Sequence, residues 1–301
     1  MINGFKPDNG LKILFIMKQL FIALLILLSF SGFSQKKEII NLWPGKVPGE
    51  TKDKKPPVTE ATSNDNVIRY AEVTDPAIEV YPADPANNNK AAVIVCPGGA
   101  YRILAYDKEG TEIAAWLNKL GLSAFVLQYR IPDKRDGALQ DAQRAIRIVK
   151  KNSARWNIDP EKVGIMGFSA GGSLSARTST RFNSRSYNPV DGLDSLSCRP
   201  AFTMLIYPAY LDEGSGRTLT QELTITKDTP PVFIFQTADD TYGNSALVMA
   251  SALRDAKQPV ELHILSNGGH GYGLRPGSPA PETWPVLANT WLNGILKKNQ
   301  K

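Results

Sequence analysis

The chain has 301 residues, 42% hydrophobic and 21% charged, which suffices to bury the core of one α/β sheet and excludes a disordered chain. Its formal charge of +6 includes an excess of two from the first 34 residues, where Lys6, Lys12 and Lys18 face only Asp8, so the body carries about +4. That charge is scattered and never interleaved with aromatics, so no nucleic-acid partner is expected.

Residues 11–30 (LKILFIMKQLFIALLILLSF) begin with a lysine flank and run into an apolar stretch from Leu20 to Phe30, followed by the small residues Ser31, Gly32 and Ser34. These are the three regions of a secretory signal peptide, expected over 1–34 with cleavage leaving Gln35 first. Met17 followed by Lys18 suits the start of such a peptide, which makes 1–16 an upstream extension. The alternative is a membrane anchor, but the run of 11 residues falls short of the ~20 a spanning helix needs, and no cysteine stands at the cleavage site to carry a lipid. A secreted or periplasmic protein with no stable membrane insertion after cleavage is therefore expected.

Residues 35–65, rich in Pro, Lys, Thr and Asn, read as a linker, with the run Thr51–Lys55 as solvated loop. A domain follows over 66–300. Residues 66–81 hold two β-like stretches around Asp75-Pro76 and predict a hairpin. Strands are then expected at 91–96, 123–129, 162–168, 202–207, 231–236 and 260–265, several of them continuous apolar runs of the kind covered on both faces. Helices alternate with them at 110–120, at 138–152, after Ser169, at 245–257 and at 284–297; Ile113, Trp116, Leu117 and Leu120 share one helical face, as do Leu139, Ala142, Ala145, Ile146 and Val149. This alternation predicts an α/β fold, a mostly parallel sheet with helices on both faces. The polar, aperiodic stretch 182–200 is expected to reach over the sheet edge as a lid or substrate loop. Cys96 ends the strand AAVIVC, where a buried free thiol is the ordinary state, although an oxidising compartment would permit pairing with Cys198. Two cysteines and two histidines, with no close pair, exclude a structural zinc site of the usual spacing.

The sharpest chemical feature is Gly167-Phe168-Ser169-Ala170-Gly171-Gly172, a G-x-S-x-G pattern with an apolar strand before it and a helix-compatible run after it. This is the nucleophile turn of the α/β-hydrolase fold: strand must bend sharply into helix with the serine at the tip, and small flanking residues let the two approach. Ser169 is the candidate nucleophile. Of the two histidines, His263 lies within a strand pattern, whereas His270 lies in the glycine-rich SNGGHGYG loop directly after it, from which a ring can swing over the serine; His270 is the candidate base. The carboxylate that orients it is expected at the end of PVFIFQ-TADD, as Asp239 or Asp240; Asp240 is preferred on spacing, with the other capping the following helix. The order Ser169, Asp240, His270 is the one this fold uses. Gly98, Gly99 and Ala100, after strand 91–96, are candidates to join the N–H of Ala170 in an oxyanion hole. Chemistry of this type requires no metal or organic cofactor.

At these residues the sequence resembles the bacterial acetylxylan esterases and related carbohydrate esterases of the α/β-hydrolase superfamily. Besides GFSAGG, the blocks VCPGGAYRILAYDKEG (95–110), VLQYRIP (126–132), LQDAQRAIRIVK (139–150), CRPAFTMLIYPAYL (198–211), QTADDTYGNS (236–245) and GGHGYGLR (268–275) carry the resemblance, from about Asn66 to Trp291. It implies a secreted serine esterase removing short acyl groups, typically acetyl, from xylan or xylo-oligosaccharides, with acetylated poly- or oligosaccharide as partner. Tyr101, Tyr242 and Tyr272 lie on the loops concerned and are candidates to stack on a sugar ring, with plain packing as the alternative. Two positions depart from the family pattern: Ala100 stands where a third glycine is common, and Ser173 where a histidine is frequent. A general short-chain carboxylesterase, a peptidase and a non-catalytic carbohydrate-binding relative are the other readings. The peptidase would need a propeller that the roughly 65 residues before Gly99 cannot hold, a lipase would need a more apolar lid, and the intact trio of Ser169, Asp240 and His270 argues against a binding module.

Overall fold

The computed structural model describes residues 38–60 and 65–298, with Met1 and Lys18 besides. The expected signal peptide and its upstream extension lie otherwise outside the described residues. Among the described residues there are thirteen strands: β1 (Glu38–Asn41), β2 (Val58–Thr59), β3 (Arg69–Glu72), β4 (Ala77–Tyr81), β5 (Ala92–Cys96), β6 (Leu104–Ala105), β7 (Ser123–Gln128), β8 (Val163–Phe168), β9 (Thr203–Ile206), β10 (Asp212–Glu213), β11 (Thr218–Leu219), β12 (Val232–Thr237) and β13 (Val260–Leu265). The helices are α1 (Glu112–Lys119), entered through a π-helical turn at Asp107–Thr111, α2 (Arg135–Lys151), α3 (Ala170–Thr180), α4 (Gly243–Asp255) and α5 (Ala280–Lys298).

Eight strands form one sheet in the order β1-β4-β7-β5-β8-β9-β12-β13. From β7 to β13 neighbouring strands run parallel, and β4 and β1 add an antiparallel edge. Both faces are covered, which is why the central strands read as unbroken apolar runs. In β5, Ala92, Ile94 and Cys96 point into the core shared with α2 and α3, while Val93 and Val95 point into the core shared with α1 and α5. Further along the sheet, Leu205, Val232 and Ile234 pack on Ala246, Met249 and Leu253 of α4. The α/β expectation is met, and each predicted strand and helix lies within a few residues of an observed one. Among the described residues no helix is long and apolar enough to cross a membrane.

Three local expectations fail. Residues 66–81 do not close a hairpin: β3 pairs with β2 and β6 in a small separate sheet, whereas β4 joins the main sheet between β1 and β7. Burial separates them, since β3 is half-buried along its length and Ala77, Ile78 and Val80 of β4 are in the core. The expected linker contributes β1 to the sheet and, just after it, the buried Leu42 and Trp43, whose indole donates to Asp141 at 2.9 Å. Finally, 182–200 forms no lid. It lies against α2, held by Arg144 to Asp194 at 3.0 Å, by Arg147 to the Leu196 carbonyl at 2.9 Å and by Gln140 to the Ser186 carbonyl at 2.8 Å.

Helix α3 is buried at every position despite its polar sequence SLSARTST. Most of its hydroxyls are satisfied by the helix itself: Ser175 donates to the Gly171 carbonyl at 2.9 Å, Thr178 to Leu174 at 2.8 Å and Thr180 to Ala176 at 2.9 Å. Small residues also let α3 start directly on the strands. A Cβ on Gly167 would overlap the Gly171 carbonyl, and one on Gly171 would overlap the carbonyl of Cys96 on β5. Gly171→Ala is therefore expected to lower stability by about 1–3 kcal/mol, read as a fall in Tm. Gly192→Ala, at a site with no atom within 4 Å of the added methyl, is expected to leave Tm unchanged. An unchanged Tm in Gly171→Ala would contradict this account of the strand–helix contact.

Candidate active site

Because β5, β8, β9, β12 and β13 run parallel, their carboxyl ends share one edge of the sheet, where open α/β sheets place their sites. The loops leaving that edge carry Gly98, Ser169, Tyr207, Asp240 and His270. Ser169 sits between β8 and α3 with φ 53° and ψ −118°, a conformation that costs a non-glycine residue of order 1–3 kcal/mol. Neighbouring backbone holds it there: its N–H donates to the Ile206 carbonyl at 3.2 Å, and its carbonyl accepts from Ala209 N–H at 3.1 Å.

His270 meets Ser169 from the loop after β13. Its Nε2 lies 2.7 Å from Ser169 Oγ, and its Nδ1 lies 2.7 Å from Asp240 Oδ2. An ionised carboxylate only accepts, so the ring proton belongs on Nδ1, and Nε2 is left to accept from the serine hydroxyl. The Asp240 side chain is fully buried and the imidazole 29% exposed, so the chain of bonds runs from the interior to the floor of the site, where Ser169 itself is 9% exposed. Tyr207 and Tyr242 flank the imidazole, with ring centroids 5.1 and 5.0 Å from it. His263, as expected, stays on its strand, where Nε2 contacts Glu261 at 2.8 Å.

The two neighbouring aspartates do different work. Asp240 faces His270 and also accepts from Tyr242 N–H at 2.8 Å, at the start of α4. Asp239 does not cap that helix. Its carboxylate accepts from Gly269 N–H at 2.9 Å and Gly268 N–H at 3.1 Å, pinning the histidine loop, and these bonds hold its pKa below the usual carboxylate range. Thr237 Oγ1 adds a bond to the Gly269 carbonyl at 2.6 Å. Beyond His270, Arg275 reaches Asp107 at 2.9 Å and Glu112 at 2.8 Å, tying the loop to the start of α1.

Among the candidate oxyanion donors, Gly98 is excluded. Its N–H is already spent on Glu109 Oε2 at 2.7 Å. The N–H groups of Gly99, Ala100 and Ala170 have no acceptor among the described residues. Ala100, at φ 57°, adopts the left-handed conformation that suits the glycine of the family pattern.

A cavity of about 450 Å³ opens over Ser169 and His270, with Val67, Ile103, Tyr210 and Tyr242 on its walls and Arg102 and Lys108 among its charged lining. Of the three candidate stacking tyrosines only Tyr242 lines it. Tyr101 is 3% exposed, with its hydroxyl 3.2 Å from Ser173 Oγ, and Tyr272 is 8% exposed, packed on Tyr207; neither is free to meet a sugar. Tyr210, not singled out in the sequence, pairs with Tyr242 at 5.3 Å instead. A larger groove of about 820 Å³ lies at the other end of the strands, over Phe202 and Trp291, but holds no nucleophile–base pair, so size does not mark the site. Cys96 and Cys198 are both free and buried; burial pushes the Cys96 thiol up to about 12, so it does not compete with Ser169.

Glu109, which no motif in the sequence marks, also belongs to the site. It is 4% exposed, on the π-helical turn before α1, yet lines the same cavity. Burial pushes its pKa up, against the bonds from the Tyr207 hydroxyl at 2.9 Å and Gly98 N–H.

Known proteins resemble this chain in sequence and in shape. The family model described as BD-FAE matches residues 78–197. An acetylxylan esterase of Xylanibacter ruminicola is 33% identical over 216 residues, 63% of this chain and 42% of that protein. Endo-1,4-beta-xylanase B of Butyrivibrio fibrisolvens is 33% identical over 205 residues, 60% of this chain and 32% of that protein. The chain thus spans less than half the length of these curated relatives. The crystal structure of an acetyl ester-xyloside bifunctional hydrolase from Caldicellulosiruptor lactoaceticus superposes with a TM-score of 0.71 at 31% identity, covering 88% of this chain and 98% of that one.

Proposed function

The chain belongs to the acetylxylan-esterase-like members of the α/β-hydrolase superfamily, and from that premise we propose that it is a serine esterase removing short acyl groups, acetyl foremost, from xylan or xylo-oligosaccharides. The observation that carries this reading is the relay of two 2.7 Å contacts, Asp240 to His270 and His270 to Ser169, under an open cavity. Beside it stand the uncommitted N–H groups of Ala170 and of the Gly99–Ala100 turn.

In this mechanism Ser169 Oγ attacks the ester carbonyl as its proton passes to His270 Nε2. Asp240 keeps the ring in the reactive tautomer and faces the imidazolium charge that develops. The carbonyl oxygen, now an anion, is met by the N–H groups of Ala170, Gly99 and Ala100; such donors are worth most when fixed beforehand in a water-poor site. Collapse breaks the ester bond, and His270 returns its proton to the departing sugar oxygen. Water then attacks the acyl-serine with His270 as base, releasing the carboxylic acid and restoring the hydroxyl. Tyr210 and Tyr242 offer apolar faces to a sugar ring at the cavity wall. We also propose export through residues 1–34 to the periplasm or beyond.

Wild-type protein is expected to release acetate from acetylated xylo-oligosaccharides, Ser169→Ala to release none, and Asp240→Asn to lose about 10⁴-fold in kcat because the ring takes the wrong tautomer. Activity on a short-chain aryl ester without acetate release from any xylan would retain the esterase and overturn the substrate. Activity surviving in Ser169→Ala would overturn the mechanism. N-terminal sequencing of the protein from a culture expressing the full chain is expected to begin at Gln35; a chain retained in the cytoplasm with residues 18–34 intact would overturn export.

A further inference from the structure

The loop after β5 leaves only a few polar groups unspent. Gly98 N–H goes to Glu109, the Gly98 carbonyl accepts from Ala105 N–H at 3.0 Å, and the Gly99 carbonyl accepts from Arg102 and Ile103 N–H at 2.9 and 3.0 Å. With those three groups bound, the peptide planes of the turn are set; Gly99 and Ala100 line the cavity, and their N–H groups are the ones left without an acceptor among the described residues. The bond from Gly98 to Glu109 is the only one of these made by a side chain. It exists because the π-helical turn widens the backbone just before α1 and brings Glu109 inward.

Space around Gly98 is as tight as the bond. A Cβ there would lie 2.6 Å from Glu109 Oε2, 2.6 Å from the Phe168 carbonyl and 2.9 Å from Ser169 Cβ. The carboxylate is thus wedged directly behind the loop that faces the nucleophile. Its other oxygen accepts from the Tyr207 hydroxyl at 2.9 Å, and that hydroxyl accepts from Gly273 N–H at 2.9 Å. Gly273 in turn is fixed by the Trp284 indole, which donates to its carbonyl at 2.8 Å. One buried carboxylate therefore ties the Gly98–Ala100 turn to the far side of the histidine loop, while the Tyr207 ring packs against His270.

We infer that Glu109 is a positioning residue of the hydrolytic reaction: by holding the Gly98 N–H it aims the Gly99 and Ala100 N–H groups at the oxyanion, and through Tyr207 it holds that turn in register with the His270 loop. The inference rests on the esterase reading. Its hydrogen bonds go to Gly98 N–H and the Tyr207 hydroxyl and not to Ser169 or His270; it acts through the donors it orients, and its effect falls on the transition state rather than on substrate binding. An amide in its place keeps the essential connections, since a glutamine oxygen accepts from Gly98 N–H while its NH₂ donates to the Tyr207 oxygen.

The test compares wild type, Ser169→Ala, Glu109→Ala, Glu109→Gln and Tyr207→Phe on p-nitrophenyl acetate, with Tm recorded for each. Glu109→Ala is expected to lose about 10²–10³-fold in kcat, the cost of one misplaced oxyanion donor, with KM little changed. Glu109→Gln is expected to recover most of that loss, and Tyr207→Phe to lower kcat with KM unchanged. Affinity for a short alkylboronic acid, whose tetrahedral adduct on Ser169 places an oxygen in the oxyanion position, is expected to fall in Glu109→Ala in step with kcat. Full kcat in a folded Glu109→Ala would overturn the inference. So would equal losses in Glu109→Ala and Glu109→Gln with boronate affinity intact. Should Glu109→Ala fail to fold, an unchanged kcat in Tyr207→Phe together with a Glu109→Gln variant as impaired as Ser169→Ala would overturn it equally. A wild type inactive on every ester overturns the esterase reading itself, a result separate from all of these.

Discussion

Everything at this site hangs on one tight contact, the place where α3 starts against β5 and β8. Gly167 and Gly171 touch backbone where any side chain would overlap, and Ser169 is held between them at a positive φ. The strain at Ser169 is offset by the burial of an entire helix and of the strands on which it rests. That contact fixes three things together: the serine stands at the carboxyl edge of the sheet, the first N–H of α3 has no acceptor among the described residues, and the loop leaving β5 passes so close that a Cβ on Gly98 would lie 2.9 Å from Ser169 Cβ. Loosening it would displace the proposed nucleophile and oxyanion donors jointly, because both are features of the same backbone.

Around this fixed point the other loops are held by different bonds with separate tasks. Asp240 faces the ring of His270; Asp239, one residue earlier, grips the backbone of the loop that carries the ring. Arg275 ties the loop's exit to Asp107 and Glu112, and Glu109 reaches the oxyanion turn from the same short segment. The stretch 107–112 thus acts as a hub between the loops after β5 and β13. The π-helical turn there supplies the extra width, a distortion often found where a helix serves a site.

Much of this was legible in the sequence because it is local. Apolar runs of strand length, the helical spacing of Ile113 and Leu117, and G-x-S-x-G between a strand and a helix each state their structure within a dozen residues. With only two histidines, one of them inside a strand pattern, His270 could be singled out by elimination. What escaped was non-local or averaged away. The run Ile39–Trp43 belongs to a stretch whose overall composition is that of a linker, yet its few apolar residues complete the sheet edge. The two strands around Asp75-Pro76 have the look of a hairpin because sequence shows adjacency and not partners. Tyr101 and Tyr272 share loops with the site but turn inward, and side-chain direction in a loop leaves no periodic trace. Glu109 is indistinguishable in sequence from a surface glutamate at a helix start; only the fold brings it behind Gly98. The oxyanion expectation was too broad for the same reason, since Gly98 is a free donor in sequence and a spent one in space.

Whether Ser169 is made nucleophilic by the relay from Asp240 through His270 is read by treating the protein with a fluorophosphonate and locating the adduct by peptide mass spectrometry. A single adduct on the peptide carrying Ser169 is expected, formed rapidly in the wild type and lost in His270→Ala with the fold intact. An unmodified Ser169, an adduct on another residue, or labelling that persists at full rate without His270 would contradict it.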